Sequence, residues 1–322
     1  LHRLIRRQRQ MCIRDRIRSE YLRAVLLNSL GLFGIILIGY LTKRLSLFVK
    51  ADGSMISKIV VNVTLPAAII VNLRALDVEN QLLLLILAGI LLNIVMIVIG
   101  HFFSKKQEQV EREFLMYSVS GYNIGNFAIP FVQSFMPQAI PILSFFDIGN
   151  SVMLAGGSTV VIEGISGSNE KRPSVKNVMG RLGRSVPFLC YLIMLCLRIF
   201  EIDLPAAVFQ VVEPIANANT FLSMFMIGLF LELRLPKKEL SLVWRVLIIK
   251  YAGGILLAAL FMFLPLPTII KAVLCLVSVG PITTFGVINS VTAGMRAEVV
   301  GFTSSLSFLI SLPLMTSLLL VL

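Results

Sequence analysis

Charge is scarce in this chain. Only 14 % of its 322 residues are Asp, Glu, Lys or Arg, against roughly 25 % in a soluble globular domain, which excludes an ordinary soluble domain. Histidine is nearly missing: His2 and His101 are the only two, too few and too far apart for a metal centre, so no metal is expected. The four cysteines, Cys12, Cys190, Cys196 and Cys275, show no CxxC or other ligand spacing. Three of them lie in apolar runs and read as small core hydrophobes. No HExxH stretch occurs, no Ser/His pair lies within the apolar runs, and only one acid is centrally placed, all of which speaks against an intramembrane enzyme. A GxxxxGK[ST] loop is also lacking, which speaks against an ATP-driven pump unless a partner supplies the nucleotide site. No cofactor is expected.

What the chain has instead is apolar length. Hydrophobic residues make up 57 % of it, with a mean hydropathy of +0.90. A helix needs roughly 20 apolar residues to cross a bilayer, and about ten runs qualify: near 24–41, 54–73, 82–103, 114–135, 140–162, 186–200, 216–233, 242–263, 268–290 and 298–321. The expectation is an all-α integral membrane protein. The formal charge of +12 is no nucleic-acid signal, because half of it comes from eight arginines in residues 1–23, set against Asp15 and Glu20. There, Met11–Arg16 reads MCIRDR and resembles a translated sequencing-adapter fragment, so residues 1–21 are expected to be a non-native or disordered extension. A basic amphipathic surface helix and a targeting segment are the other readings.

Loops after odd-numbered runs carry fifteen Lys and Arg, among them Lys105, Arg181 and Lys238, whereas even-numbered loops offer Arg74, Arg198 and Lys271. By the positive-inside rule the odd loops face the cytoplasm and both termini lie outside. The longest loop, 163–185, is rich in Gly, Ser, Lys and Arg and is read as a cytoplasmic linker. It separates five runs (22–162) from five (186–322). An odd number of spans per half makes the halves insert in opposite directions, the arrangement of inverted repeats.

The fourth run of each half breaks its own pattern. Gly121–Phe131 reads GYNIGNFAIPF, with two Gly, two Asn and a Pro, all poor helix-interior residues. Pro130 lacks an amide hydrogen and its ring clashes with the carbonyl one turn back. The ninth run, VSVGPITTFGVINSV at Val277–Val291, holds Gly280, Pro281, Thr283, Thr284, Gly286 and Asn289. Broken backbone inside a membrane is tolerated only where protein or a water-filled cavity satisfies it. Spans four and nine are therefore expected to be discontinuous helices that cross at a substrate site.

These residues resemble the auxin efflux carrier and malate permease family. The likeness rests on Asn123, Gly125 and Pro130 as an Asn-x-Gly…Pro pattern, LPAAII at Leu65–Ile70, FDIGN at Phe146–Asn150, MFMIGLFLEL at Met224–Leu233 and SLSFLISLPL at Ser305–Leu314, occurring in order over about residues 22–322. The resemblance implies a ten-helix inverted-repeat fold and transport of organic anions such as dicarboxylates or indole-3-acetate. One departure stands out: Ile282, Thr283 and Thr284 follow the span-nine proline where the family often has small residues and an Asn, so the substrate does not carry over.

Half-helix N-termini present free amide hydrogens and a positive dipole end, which bind carboxylates without a buried Arg. The candidate substrate contacts are Asn123, Gly125, Asn126 and Pro130 in span four and Gly280, Pro281, Thr283, Thr284 and Asn289 in span nine. The other reading is that these polar groups only satisfy broken backbone or join helices. Asp147, about eight residues into span five, with Asn150 on the same helical face, is a candidate for ion coupling or for helix anchoring. Asn62, Thr64 and Pro66 in span two and Asn217, Asn219 and Thr220 in span seven form a second pair, read as cavity walls. Lys250, in span eight, is read as an anchor snorkelling to the cytoplasmic face, with a substrate role as the other reading.

The function expected is a secondary transporter for a small organic anion, working by alternating access in the cell membrane. The coupling ion is left open between H+, Na+ and none, and a homodimer is compatible with this class. The competing reading is a membrane-embedded anion sensor that binds without transporting.

Overall fold

The computed structural model describes the backbone of residues 2–74, 80–167, 174–234 and 238–322, without the side chains of residues 2–19, 21, 80 and 81. Among the described residues there is no strand. The helices in chain order are α1 His2–Arg44, α2 Lys50–Ile59, α3 Leu65–Asn72, α4 Asn80–Ser104, α5 Gln109–Val119, α6 Ile129–Phe135, α7 Ile140–Val152, α8 Ser158–Ser166, α9 Val175–Leu182, α10 Val186–Ile199, α11 Ala206–Phe230, α12 Leu240–Phe263, α13 Thr268–Ser278, α14 Thr284–Thr292 and α15 Ala297–Val321. Wider π-helical turns at Val60–Thr64, Ile124–Ala128 and Met153–Gly157 join α2 to α3, lead into α6, and join α7 to α8.

Six of these helical stretches are long and apolar enough to cross a membrane unaided: Leu22–Arg44, Lys50–Asn72, Leu82–Ser104, Pro137–Ser166, Leu240–Phe263 and Ala297–Val321. The chain is thus an all-helical, multi-pass membrane protein. The ten runs read from sequence are not ten uniform helices. The runs at 114–135 and 268–290 are each split into two shorter pieces. The run at 186–200 is α10, which follows α9 after a 78° bend. The stretch 163–185, expected to be a loop, therefore contains helix α9. Seven of the eight residues of α9 are solvent- or lipid-accessible; its buried end is Leu182, and Arg181 Nη1 donates to Ala155 O at 3.2 Å. The backbone of α1 is helical from residue 2 onward, while the arginines of the basic extension lie outside the described side chains apart from Arg23.

Helix α4 shows how sequence sets placement. It is apolar on all sides, so propensity chooses no face. Leu84, Leu87, Leu91, Val95, Val98 and Phe102, spaced by three or four, stay exposed, and such a stripe suits hydrocarbon. Leu85, Met96 and Ile97, offset from it, are buried against neighbouring helices.

Those neighbours approach closely because glycines remove the intervening Cβ. A Cβ on Gly149 of α7 would sit 1.9 Å from Ile86 O of α4, and one on Gly89 would sit 2.3 Å from Phe146 O. The same reciprocal pair joins α1 and α11: a Cβ on Gly39 would lie 2.3 Å from Phe225 O and one on Gly228 would lie 2.2 Å from Ile36 O. Helices α1, α2, α3 and α10 pack on one another through α11 and α3. Helices α4, α5, α7, α12, α13, α14 and α15 form a second set of mutual neighbours. The two sets touch where α11 meets α15 and, through its contact with α6 and the leading π turn, the first interrupted helix, where α1 meets α15, and where α3 and α10 meet α7.

Candidate functional site

The first interruption falls at Ser120–Asn123, between α5 and the π turn Ile124–Ala128. Gly121 takes φ +75° there, a left-handed conformation that costs other residues about 1–2 kcal/mol. Pro130 is not the break. It occupies the first turn of α6, directly after the π turn, whose extra width takes up the ring that a regular α-helix cannot accommodate. Pro66 stands in the same relation to the π turn Val60–Thr64. The second interruption, Val279–Thr283 between α13 and α14, does contain its proline, Pro281.

Buried main-chain groups need partners, and both interruptions find them in side chains. Asn150 of α7, wholly buried, clasps the main chain of Tyr122 through both its N–H and its C=O. Its Nδ2 donates to Tyr122 O (3.0 Å) and its Oδ1 accepts from Tyr122 N (3.2 Å). Asn150 is itself held by Asp147 Oδ1 (3.0 Å) and by Asn93 Nδ2 of α4 (3.2 Å). The second Asp147 oxygen accepts from Tyr191 of α10 (3.0 Å). In the other half, Ser307 Oγ of α15 accepts from Ile282 N (3.0 Å), and Ser311 Oγ donates to Val279 O (2.7 Å). Tyr251 of α12 donates to Ser307 O (2.6 Å) and lies 2.9 Å from Ser311 Oγ.

The two interruptions touch. Asn123 Nδ2 donates to Ile282 O at 3.2 Å. A Cβ on Gly121 would lie 3.0 Å from Thr283 Cγ2, and one on Gly286 would lie 2.7 Å from Tyr117 O. Of the residues singled out in the sequence, Asn123, Thr283, Gly280, Pro281 and Pro130 are buried at or beside this junction. Thr283 caps α14, its Oγ1 accepting from Gly286 N (2.8 Å). Asn126 is half-buried, and its Oδ1 is sealed from solvent without a partner. Gly125 is half-buried, and a Cβ there would lie 2.7 Å from Leu65 Cδ2 of α3, so this side of the junction faces α3. Thr284 is exposed and Asn289 half-buried on the following helix.

Three expectations change. Asn62 and Asn217 are exposed, and Asn62 spends its amide on Lys58 O of its own helix (2.8 Å). Within the same two clusters the contact between spans two and seven is made by Thr64, whose hydroxyl donates to the buried Asn219 Oδ1 (2.9 Å). Lys250 does not reach a membrane face; it is 2 % exposed. Sequence reasoning also missed Asn93, Tyr191, Tyr251 and the pair Ser307 and Ser311. The serines carried a signal: Ser304, Ser307 and Ser311 recur at helical spacing along one face of an apolar helix.

Two cavities lie away from the junction. An apolar one of about 810 Å³ opens between α4 and α12, lined by Ile99, Phe103, Trp244 and Ile248 among others, and suits hydrocarbon better than a carboxylate. A charged one of about 440 Å³ lies where the ends of α1 and α11 meet the starts of α2 and α15, lined by Tyr40, Lys43, Arg44, Lys50, Glu232, Arg234 and Glu298. Within it Lys50 pairs with Glu232, and Lys43 donates to Leu231 O.

A multi-pass helical bundle with two interrupted helices meeting in its interior defines the class, a membrane transporter. Residues 24–316 match the family described as membrane transport protein. The chain belongs to that family, the auxin efflux carriers, which are transporters and not enzymes. No curated protein matches the chain.

Proposed function

We propose that the protein is a secondary transporter that moves a small organic anion, such as a carboxylate, across the cell membrane by alternating access. The observation that carries this reading is the junction where Asn123 of one interrupted helix bonds Ile282 of the other. Two pieces that begin there, α14 and the π turn leading into α6, turn their positive ends toward it. Asn126, with an unpartnered oxygen and an amide able to donate, lies in that π turn.

The packing supports two inverted five-helix repeats. In the first half α4 packs on α5 and α7; in the second, α12 packs on α13 and α15. Each interruption is clasped by the following helix, through Asn150 in one half and Ser307 and Ser311 in the other. The same pairing matches α1 against α11 with α10 against α3. Alternating access then consists of the set built on α11 shifting against the set that holds the junction. With odd-numbered loops in the cytoplasm, both termini face outward.

Purified protein in liposomes is expected to take up labelled acetate, succinate or citrate with saturation, and Asn126→Ala to lower that uptake about tenfold while the protein folds normally. Saturable binding without any uptake would replace the carrier by an anion sensor.

A further inference from the structure

Lys250 is an ionisable side chain buried inside the bundle with no counter-charge among the described residues. It is 2 % exposed and lies among the largest fully buried side chains. Among the described residues no hydrogen bond or ion pair reaches it. A buried charge without a partner is strongly disfavoured, and an ionisable residue within a membrane span points to function.

Its position follows from the register of α12 against α13. Lys271 Nζ donates to Met262 O (3.1 Å), and Cys275 Sγ donates to Ala258 O (3.4 Å). One turn further along, a Cβ on Gly254 would lie 2.2 Å from Ser278 O. Each turn back along α12 thus matches a turn forward along α13 until α13 ends at Ser278, so the next turn, which carries Lys250, runs beside the interruption Val279–Thr283. Its direction is bracketed by the turn that follows it. Gly254 faces Ser278 of α13, and Gly253 faces Met96 of α4, whose Cε would lie 3.1 Å from a Cβ there. A residue three and four positions earlier points between those two contacts, into the interior. Long helical side chains lean toward the helix N-terminus, here past the end of α13.

We infer that Lys250 is the fixed positive charge against which the protein holds the carboxylate of its substrate, from the side of the junction opposite α3. This rests on the anion-transport reading and adds a named cation to a site otherwise made of amides and helix ends. The amine on α12 has no acid paired with it among the described residues, and the start of α14 offers a second positive end at the interruption into which α13 leads. An anion satisfies both.

The test sets affinity against stability in the full-length protein, measured by thermal shift in detergent and by uptake into liposomes, with acetate, succinate and citrate as probes. Lys250→Met keeps length and loses charge; it is expected to melt no lower than the parent and to bind the preferred probe at least about tenfold more weakly. Lys250→Arg is expected to stay within about threefold. Lys250→Gln, neutral but polar, is expected to lose affinity as Met does and decides the matter if Met fails to fold. Unchanged affinity in the neutral variants overturns the assignment and leaves transport standing. A parent protein that neither binds nor moves any of the three anions overturns both.

Discussion

At the scale of single residues, the junction depends on side chains that bind main chain. Asn150 offers one donor and one acceptor to the main-chain N–H and C=O of one residue, Tyr122, and a carboxamide supplies both at once. Asn150→Leu leaves Tyr122 N–H without its partner and frees Asp147 Oδ1, and each unsatisfied buried group costs about 1–3 kcal/mol. The expected loss is roughly 3 kcal/mol, read as a lower melting temperature of the purified protein. Asn150→Asp keeps the acceptor, loses the donor and places a second carboxylate beside Asp147, so it is expected to fall at least as far; a melting temperature equal to the parent's would show that the clasp is dispensable. Gly121 depends on its lack of a side chain. Alanine there meets a left-handed φ and the methyl of Thr283 3.0 Å away, so Gly121→Ala is expected to lower uptake severalfold with about 1–2 kcal/mol of destabilisation.

At the scale of helices, the two halves solve the same problem with different chemistry. A stretch of extended backbone inside a helix bundle exposes amides that must be paired. One half uses an asparagine backed by an acid and a tyrosine; the other uses two serines backed by a tyrosine. The double variant Ser307→Ala with Ser311→Ala removes the partners of Ile282 N–H and Val279 O. It is expected to destabilise by about 2–4 kcal/mol and to lower uptake, measured as for Asn150. Much of this level was legible in sequence. Glycine, asparagine and proline inside runs too apolar to be loops mark broken helices, and Gly121 and Pro281 do lie in the breaks. Pro130 misleads because a π turn absorbs it, and a π turn has no sequence signature beyond the proline itself. Asn62 and Asn217 mislead for another reason: spacing along one helix cannot say which of two nearby polar residues, Asn62 or Thr64, Asn217 or Asn219, faces a neighbour.

At the scale of the whole molecule, the reciprocal glycine contacts hold α1 to α11 and α4 to α7 too tightly for those pairs to slide. Gly228→Leu would drive its side chain into Ile36 O and is expected to abolish folding, seen as loss of a monodisperse peak on gel filtration. The boundary between the two sets of helices carries polar contacts. There Gln133 Nε2 of α6 donates to Ala216 O (3.4 Å), and Thr220 Oγ1 of α11 donates to Gln133 Oε1 (3.3 Å). If the sets shift during transport, cross-linking Gln133→Cys to Thr220→Cys in a background without native cysteines is expected to stop uptake, and reduction to restore it. Undiminished uptake by the cross-linked protein would place the motion elsewhere. The helical class and family membership were readable from composition and ordered motifs. The neighbour sets were not, because a helix apolar on every side, such as α4, does not announce which face meets protein and which meets lipid.

The clasping of Tyr122, Val279 and Ile282 through their peptide groups has an evolutionary consequence. Because Asn150, Ser307 and Ser311 bind main-chain atoms that every amino acid except proline carries, the side chains at those three positions can change while the bent backbone keeps its shape. Ligand preference can therefore drift by local substitution on an unchanged frame, so that related chains with the same architecture can diverge in cargo.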